Sequence, residues 1–94
     1  MKKLSQFSSV WDAIEDTAVE AEHLKLRSVL MTALKKHITR AGLTQAEAAK
    51  RLRVTQPRVS DLMRGKINFF SLDALVTLAT AAGLHVELRL RKAA

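Results

Sequence analysis

What most constrains this chain is its punctuation. Its 94 residues include only three glycines and one proline, and each of the four stands at the edge of a stretch that reads as helix. Ser9-Val10-Trp11-Asp12, Thr17-Ala18-Val19-Glu20 and Thr44-Gln45-Ala46-Glu47 all match the capping-box pattern. In that pattern a hydroxyl and an acidic side chain three residues later satisfy free backbone N–H groups. They predict a short helix at 10–16, a long one at roughly 18–41, and one from the Thr44 cap to about Leu52. Along the long helix Leu26, Val29, Leu30, Ala33, Leu34, Ile38 and Ala41 recur at three- and four-residue spacing, a single apolar stripe. Gly42 stands where a left-handed residue closes such a helix. Thr55 caps a further helix at about 56–64, with Pro57 in its first turn, where a missing N–H breaks no helical bond. Ser71 caps the last, 72–82, whose Leu72, Leu75, Val76, Ala79 and Ala82 keep helical period.

With four aromatics in the whole chain, the core must come from Leu, Val, Ile and Ala, a diet that favours helices. The tail breaks the pattern. Leu84, Val86, Leu88 and Leu90 alternate with His85, Glu87, Arg89 and Arg91, the period of a half-buried strand. A lone strand leaves its backbone groups unpaired, and no second strand is predicted to receive it. The simplest partner is the same strand in a twofold-related copy, which makes those four apolar residues the expected dimerisation surface; a frayed tail is the alternative. The expectation is a mainly all-α bundle of about five helices plus one C-terminal strand paired across a dimer. Residues 1–17 form an acidic arm with a short helix, 18–83 the main domain, and 84–94 the strand and a basic tail.

Charge is distributed unevenly. The chain carries a net +7. Residues 1–24 set Lys2 and Lys3 against Asp12, Glu15, Asp16, Glu20 and Glu22, a balance of −3. Residues 25–94 set fourteen Lys and Arg against Glu47, Asp61, Asp73 and Glu87, a balance of +10. An acidic arm on a basic body suggests two partners of opposite charge. A polyanion suits the body, because neutralising phosphates releases condensed counterions; charge that serves only solubility is the plainer reading. The absence of cysteine excludes a disulfide scaffold and thiolate metal sites, and the three histidines lie too far apart to suggest a ligand cluster. No apolar stretch follows Met1-Lys2-Lys3, and none approaches bilayer length, so a soluble cytoplasmic protein without secretory signal or membrane partner is expected. No cofactor is implied.

The most specific feature is the pair of short helices joined through Arg53-Val54. Ala48, Ala49 and Leu52 supply an inner face on the first, Val54 plugs the turn, and Val59 and Leu62 anchor the second. A helix-turn-helix needs small or apolar residues where its helices cross and polar ones outside. The outer set comprises Thr44 and Gln45 on the first helix, Thr55, Gln56, Pro57, Arg58, Ser60, Asp61 and Arg64 on the second, and Lys66 and Asn68 beyond it. From residue 35 to 66 nine Lys and Arg face only Glu47 and Asp61, the local excess that a phosphate-binding surface requires.

The stretch LTQAEAAKRLRVTQPRVSDLMRGK, residues 43–66, resembles the helix-turn-helix of the lambda-repressor-like (XRE) family. The resemblance implies that Gln45 contacts a phosphate while Gln56 reads a base, adenine by its chemistry, and that the two glutamines can brace each other. It places Pro57 and Asp61 at positions often used for base contacts, against a thymine methyl and cytosine N4 respectively. Arg58, Arg64, Lys66 and Asn68 fall at backbone or flanking-base positions. Arg53 departs from the pattern, standing where the family usually has a left-handed glycine, at a cost of roughly 1 kcal/mol. The whole chain is similar to compact HigA-like antitoxins of toxin–antitoxin modules, through SSVWDAIEDTAVEAE and FFSLDALVTLATAAGLHVEL. That similarity implies a dimer repressing its own operon at an inverted repeat of double-stranded DNA. It also implies that the acidic arm, 8–22, docks a RelE-like, HigB-type ribonuclease toxin.

Other residues read more plainly. Trp11 is either a partner-binding anchor or packed on its own chain's helix. Phe69 and Phe70 are expected as core plugs, and His37 as a solvated helix-face residue. Glu15-Asp16 lack the neighbours that would make them catalytic, and no nucleophile–base pair or phosphate-cradling glycine loop appears, so no enzyme is expected. Three classes remain open: a sequence-specific repressor, stand-alone or prophage-borne or within an antitoxin operon; a toxin-neutralising protein; and a protein-binding adaptor with a vestigial helix-turn-helix.

Overall fold

A computed structural model describes residues 5–92, with side chains from Thr17 onward. Four α-helices follow one another: α1 (Ser5–Arg40), α2 (Gln45–Leu52), α3 (Gln56–Met63) and α4 (Leu72–Ala81). A 3-10 turn, η1 (Ile67–Phe69), lies between α3 and α4. The expected helices at 10–16 and 18–41 are one helix of 36 residues, so about five helices become four. The reason lies in what precedes Thr17. No glycine or proline occurs from residue 5 to 40. Continuing the helix adds a hydrogen bond per residue, whereas restarting it exposes four N–H groups and requires a new nucleus. The reading of Trp11, and of Asp12, Glu15 and Asp16 in the acidic arm, falls on side chains outside those described.

At about 1.5 Å per residue α1 alone is roughly 54 Å long, and it sets the molecule's longest dimension of 53 Å. Its C-terminal half packs against α4, η1 and α3, while α2 packs against α3 and α4. The core joins Met31, Leu34 and Ile38 of α1 to Ala48, Ala49 and Leu52 of α2, Val59 and Leu62 of α3, and Leu75, Leu78 and Ala79 of α4. Phe70 closes it from the loop. The single apolar stripe expected on α1 divides here. Leu34 and Ile38 are buried with Met31, whereas Val29, Ala33 and Ala41 lie exposed, because the body covers only one side of the helix. Phe70 is the plug that was expected, and Phe69 is exposed.

Gly42, at φ +67°, lets the chain turn sharply from α1 into the Thr44 cap. Beyond α4 the tail differs from expectation: residues 84–92 contain no strand, and none occurs among the described residues. Its last described backbone bond is Leu84 N–H to the Ala79 carbonyl, 2.9 Å. A single chain offers no neighbour to complete a ladder, so the predicted strand is absent from it. The alternation persists in part. Leu84 and Val86 pack against the core, while His85 and Glu87 face solvent, 3.9 Å apart. Leu88 and Leu90 remain exposed. No helix among the described residues is long and apolar enough to cross a membrane.

Candidate nucleic-acid interface

The two eight-residue helices α2 and α3 start in the same way. Thr44 is extended, its hydroxyl accepts the Glu47 N–H at 3.1 Å, and the Glu47 carboxylate accepts the Thr44 N–H at 2.8 Å. These reciprocal bonds hold the Glu47 carboxyl below its ordinary range, the Thr44 N–H having the largest effect, then the Thr44 side chain, with Arg51 and Lys50 adding smaller contributions. Thr55 repeats the cap for α3, accepting the Arg58 N–H at 3.3 Å. Pro57 lies in that first turn, as expected.

Between the helices Arg53 takes φ 60°, ψ 42°, and is the one non-glycine with positive φ among the described residues. Arg53 N–H reaches the Lys50 carbonyl at 3.3 Å, and the left-handed step then lets Val54 N–H reach the Ala49 carbonyl at 3.0 Å, closing α2 within two residues. Val54 packs at the edge of the core, and Ala48, Ala49 and Leu52 of α2 are buried with Val59 and Leu62 of α3. The small side chains of Ala48 and Ala49 allow a close approach of the two helices.

Once those residues are buried, the outer surface is determined. Thr44, Gln45, Thr55, Gln56, Pro57, Arg64 and Asn68 are exposed, and Arg58, Ser60, Asp61 and Lys66 are half-buried. Gln45 and Gln56 are each the first residue of their helix. Asp61 pairs with Lys66 at 3.7 Å, so two of the residues singled out in the sequence share one small charged cluster.

The family model described as Helix-turn-helix domain matches residues 13–91. A solved structure described as an XRE family transcriptional regulator is 42% identical, covers 79% of this chain and 83% of its own, and superposes with a TM-score of 0.72. Among curated proteins none matches the chain. The chain belongs to the helix-turn-helix family of XRE-type regulators.

In this XRE-type regulator one candidate contact also has a structural task. The Arg58 guanidinium donates to the Phe69 carbonyl at 2.7 Å and lies 3.9 Å from the centre of the Phe70 ring. It ties α3 to the loop that follows, and Arg27 ties α1 to the same loop through the Ile67 carbonyl at 3.3 Å. Lys66 Nζ lies 5.4 Å from the Phe69 ring centre. The loop carrying Lys66 and Asn68 is therefore held from two sides. Sequence spacing gave no sign of either arginine's task, since the partners are backbone carbonyls 11 and 40 residues away.

Proposed function

We propose that the protein is a sequence-specific DNA-binding repressor that acts as a homodimer, with α3 lying in the major groove. The observation that carries this reading is the division of α3: Val59 and Leu62 are buried, while Gln56 and Pro57 at its start and Arg64 at its end stay outside. Side chains at the N-terminal end of such a helix reach base edges, and an amide there can make a bidentate contact to adenine. Gln56 is the base-reading residue. Gln45, at the start of α2, serves the phosphate backbone together with the Lys and Arg around it. Arg64, Lys66 and Asn68 flank the groove. Eight residues read too few bases alone, so two copies bind an inverted repeat with half-sites about 34–36 Å apart, or a multiple of that distance. The tail, with exposed Leu88 and Leu90, supplies the contact between copies.

The test is a titration against DNA from upstream of the protein's own gene, beside scrambled DNA, at two salt concentrations. Preference for the upstream duplex that survives higher salt is the expected result. Equal, salt-erased binding to both would leave only a basic protein with a helix-turn-helix shape.

A second role, as the antitoxin of a toxin–antitoxin operon, is favoured by α1. Glu20 and Glu22 are exposed beside exposed Val19 and Leu24, giving an acidic and partly apolar surface suited to a basic ribonuclease of the RelE/HigB type. Reversing both charges, Glu20→Lys with Glu22→Lys, is expected to spare operator binding and weaken capture of the neighbouring gene's product. Loss of operator binding with capture intact would reverse that assignment.

A further inference from the structure

We propose that the tails of two copies pair antiparallel in one register, with Leu88 on the twofold axis and Glu87 of each copy opposite Arg89 of the other. The inference rests on the dimer reading above and specifies its interface. Four observations lead to it. Beyond Leu84 no described residue of the tail makes a backbone hydrogen bond, so its N–H and C=O groups are open to a neighbouring strand. His85 and Glu87 lie on one face, 3.9 Å apart, as i and i+2 do in extended chain. On the other face Leu84 and Val86 rest against the core. Leu88 and Leu90 continue that face past the body, 70% and 95% exposed.

Directly opposed residues of an antiparallel pair share a face. Apolar residues must therefore meet apolar residues, which leaves only registers centred on a residue of the tail. Centring on Val86 opposes Leu84 to Leu88, leaves Leu90 with no apolar partner, and doubles the contacts of residues the core already covers. Centring on Glu87 sets two carboxylates against each other at the axis. Centring on Arg89 sets two guanidinium groups there. Centring on Leu90 sets Arg89 against Arg91. Centring on Leu88 keeps the axis and its nearest pairs free of these conflicts. It sets Leu88 against Leu88, Val86 against Leu90 twice, and Glu87 against Arg89 twice; only the end pairs, Leu84 with Lys92 and His85 with Arg91, are mismatched, and they lie at the two ends of the ladder. Because Val86 rests on its own core, the Leu90 beside it extends the apolar surface of the other copy, and the two tails become a shared strand pair between two bodies.

The test uses the full chain, whose lack of native cysteine makes single-cysteine variants unambiguous. Opposed Cβ atoms in such a pair lie about 4.5–5.5 Å apart, near the reach of a disulfide, whereas diagonal neighbours lie at about 7–8 Å. Under mild oxidation L88C is expected to form a covalent dimer far faster than V86C, E87C or R89C. In light scattering E87R and R89E are each expected to weaken the dimer about tenfold, and the double variant to restore it. A dimeric parent that crosslinks best at V86C, E87C or R89C, or a double variant that stays as weak as the single ones, overturns this register and leaves the dimer standing. A parent that is monomeric at tens of micromolar overturns both.

Discussion

Helices α2 and α3 are closed at both ends within a few residues, whereas α1 runs for 36 residues although it contains two sequences of the same capping pattern. Thr44 and Thr17 each stand three residues before a glutamate. At Thr44 the preceding residues Gly42-Leu43 have already turned the chain, and both capping bonds form. At Thr17 the preceding residues propagate helix, and the helix passes through. A capping box therefore marks a start only where the chain before it cannot be helical. The contrast carries to the surface: the segment with local stops exposes a defined set of polar side chains, while the long helix and the tail leave Val29, Leu88 and Leu90 uncovered by the chain itself.

The largest expected effect separates the two sides of α1. Leu34 is wholly buried, and Leu34→Ala is expected to cost about 2–5 kcal/mol in denaturant unfolding. Val29→Ala, on the exposed side, should stay within about 0.5 kcal/mol. Similar losses at both would mean that the uncovered side of α1 is packed in solution.

Arg58 sharpens the division within the motif. Arg58→Ala removes the bond to the Phe69 carbonyl and the contact with the Phe70 ring, for an expected loss of about 1–2 kcal/mol in thermal unfolding. The salt dependence of DNA binding should change little. A salt slope lower by about one, with stability unchanged, would assign Arg58 to a phosphate instead.

Arg53→Gly works in the opposite direction. Glycine relieves the left-handed strain but adds freedom to the unfolded chain, so a gain of up to about 1 kcal/mol is expected, seen as a raised Tm. A lowered Tm would show that the arginine side chain holds the turn.

The smallest effect concerns the Thr44 cap. Because the folded state holds the Glu47 carboxyl below its ordinary 4.5, the contribution of the carboxylate is complete above that value and is lost as pH falls through the lower, folded one. Glu47→Gln is expected to show a shallower fall in Tm across that acid range than the parent, and parallel curves would contradict the capping account.

Much of the motif was legible in the sequence because its determinants are local. The caps at Thr44, Thr55 and Ser71 and the buried Ala48, Ala49, Leu52, Val59 and Leu62 follow from neighbours within a few positions, and the left-handed Arg53 from the family resemblance. What was not legible depends on distant parts of the chain. Met31 and Leu78 are buried while Val29 and Val76 are exposed, although helical spacing admits all four to an apolar face. The body's position around the helix decides between them. The strand expected at 84–90 is not formed, because a ladder needs a second strand and none occurs among the described residues.

The central claim is that Gln56 reads sequence while the basic residues around it supply affinity, and binding by Gln56→Ala beside Lys66→Ala tests it most directly. Both variants would be titrated against the cognate and scrambled duplexes over a range of salt. The account predicts that Gln56→Ala loses about 1–3 kcal/mol on the cognate duplex alone with its salt slope intact, whereas Lys66→Ala weakens binding to both and lowers the slope by about one. A Gln56→Ala variant that binds both duplexes as the parent does would contradict the placement of α3 in the groove.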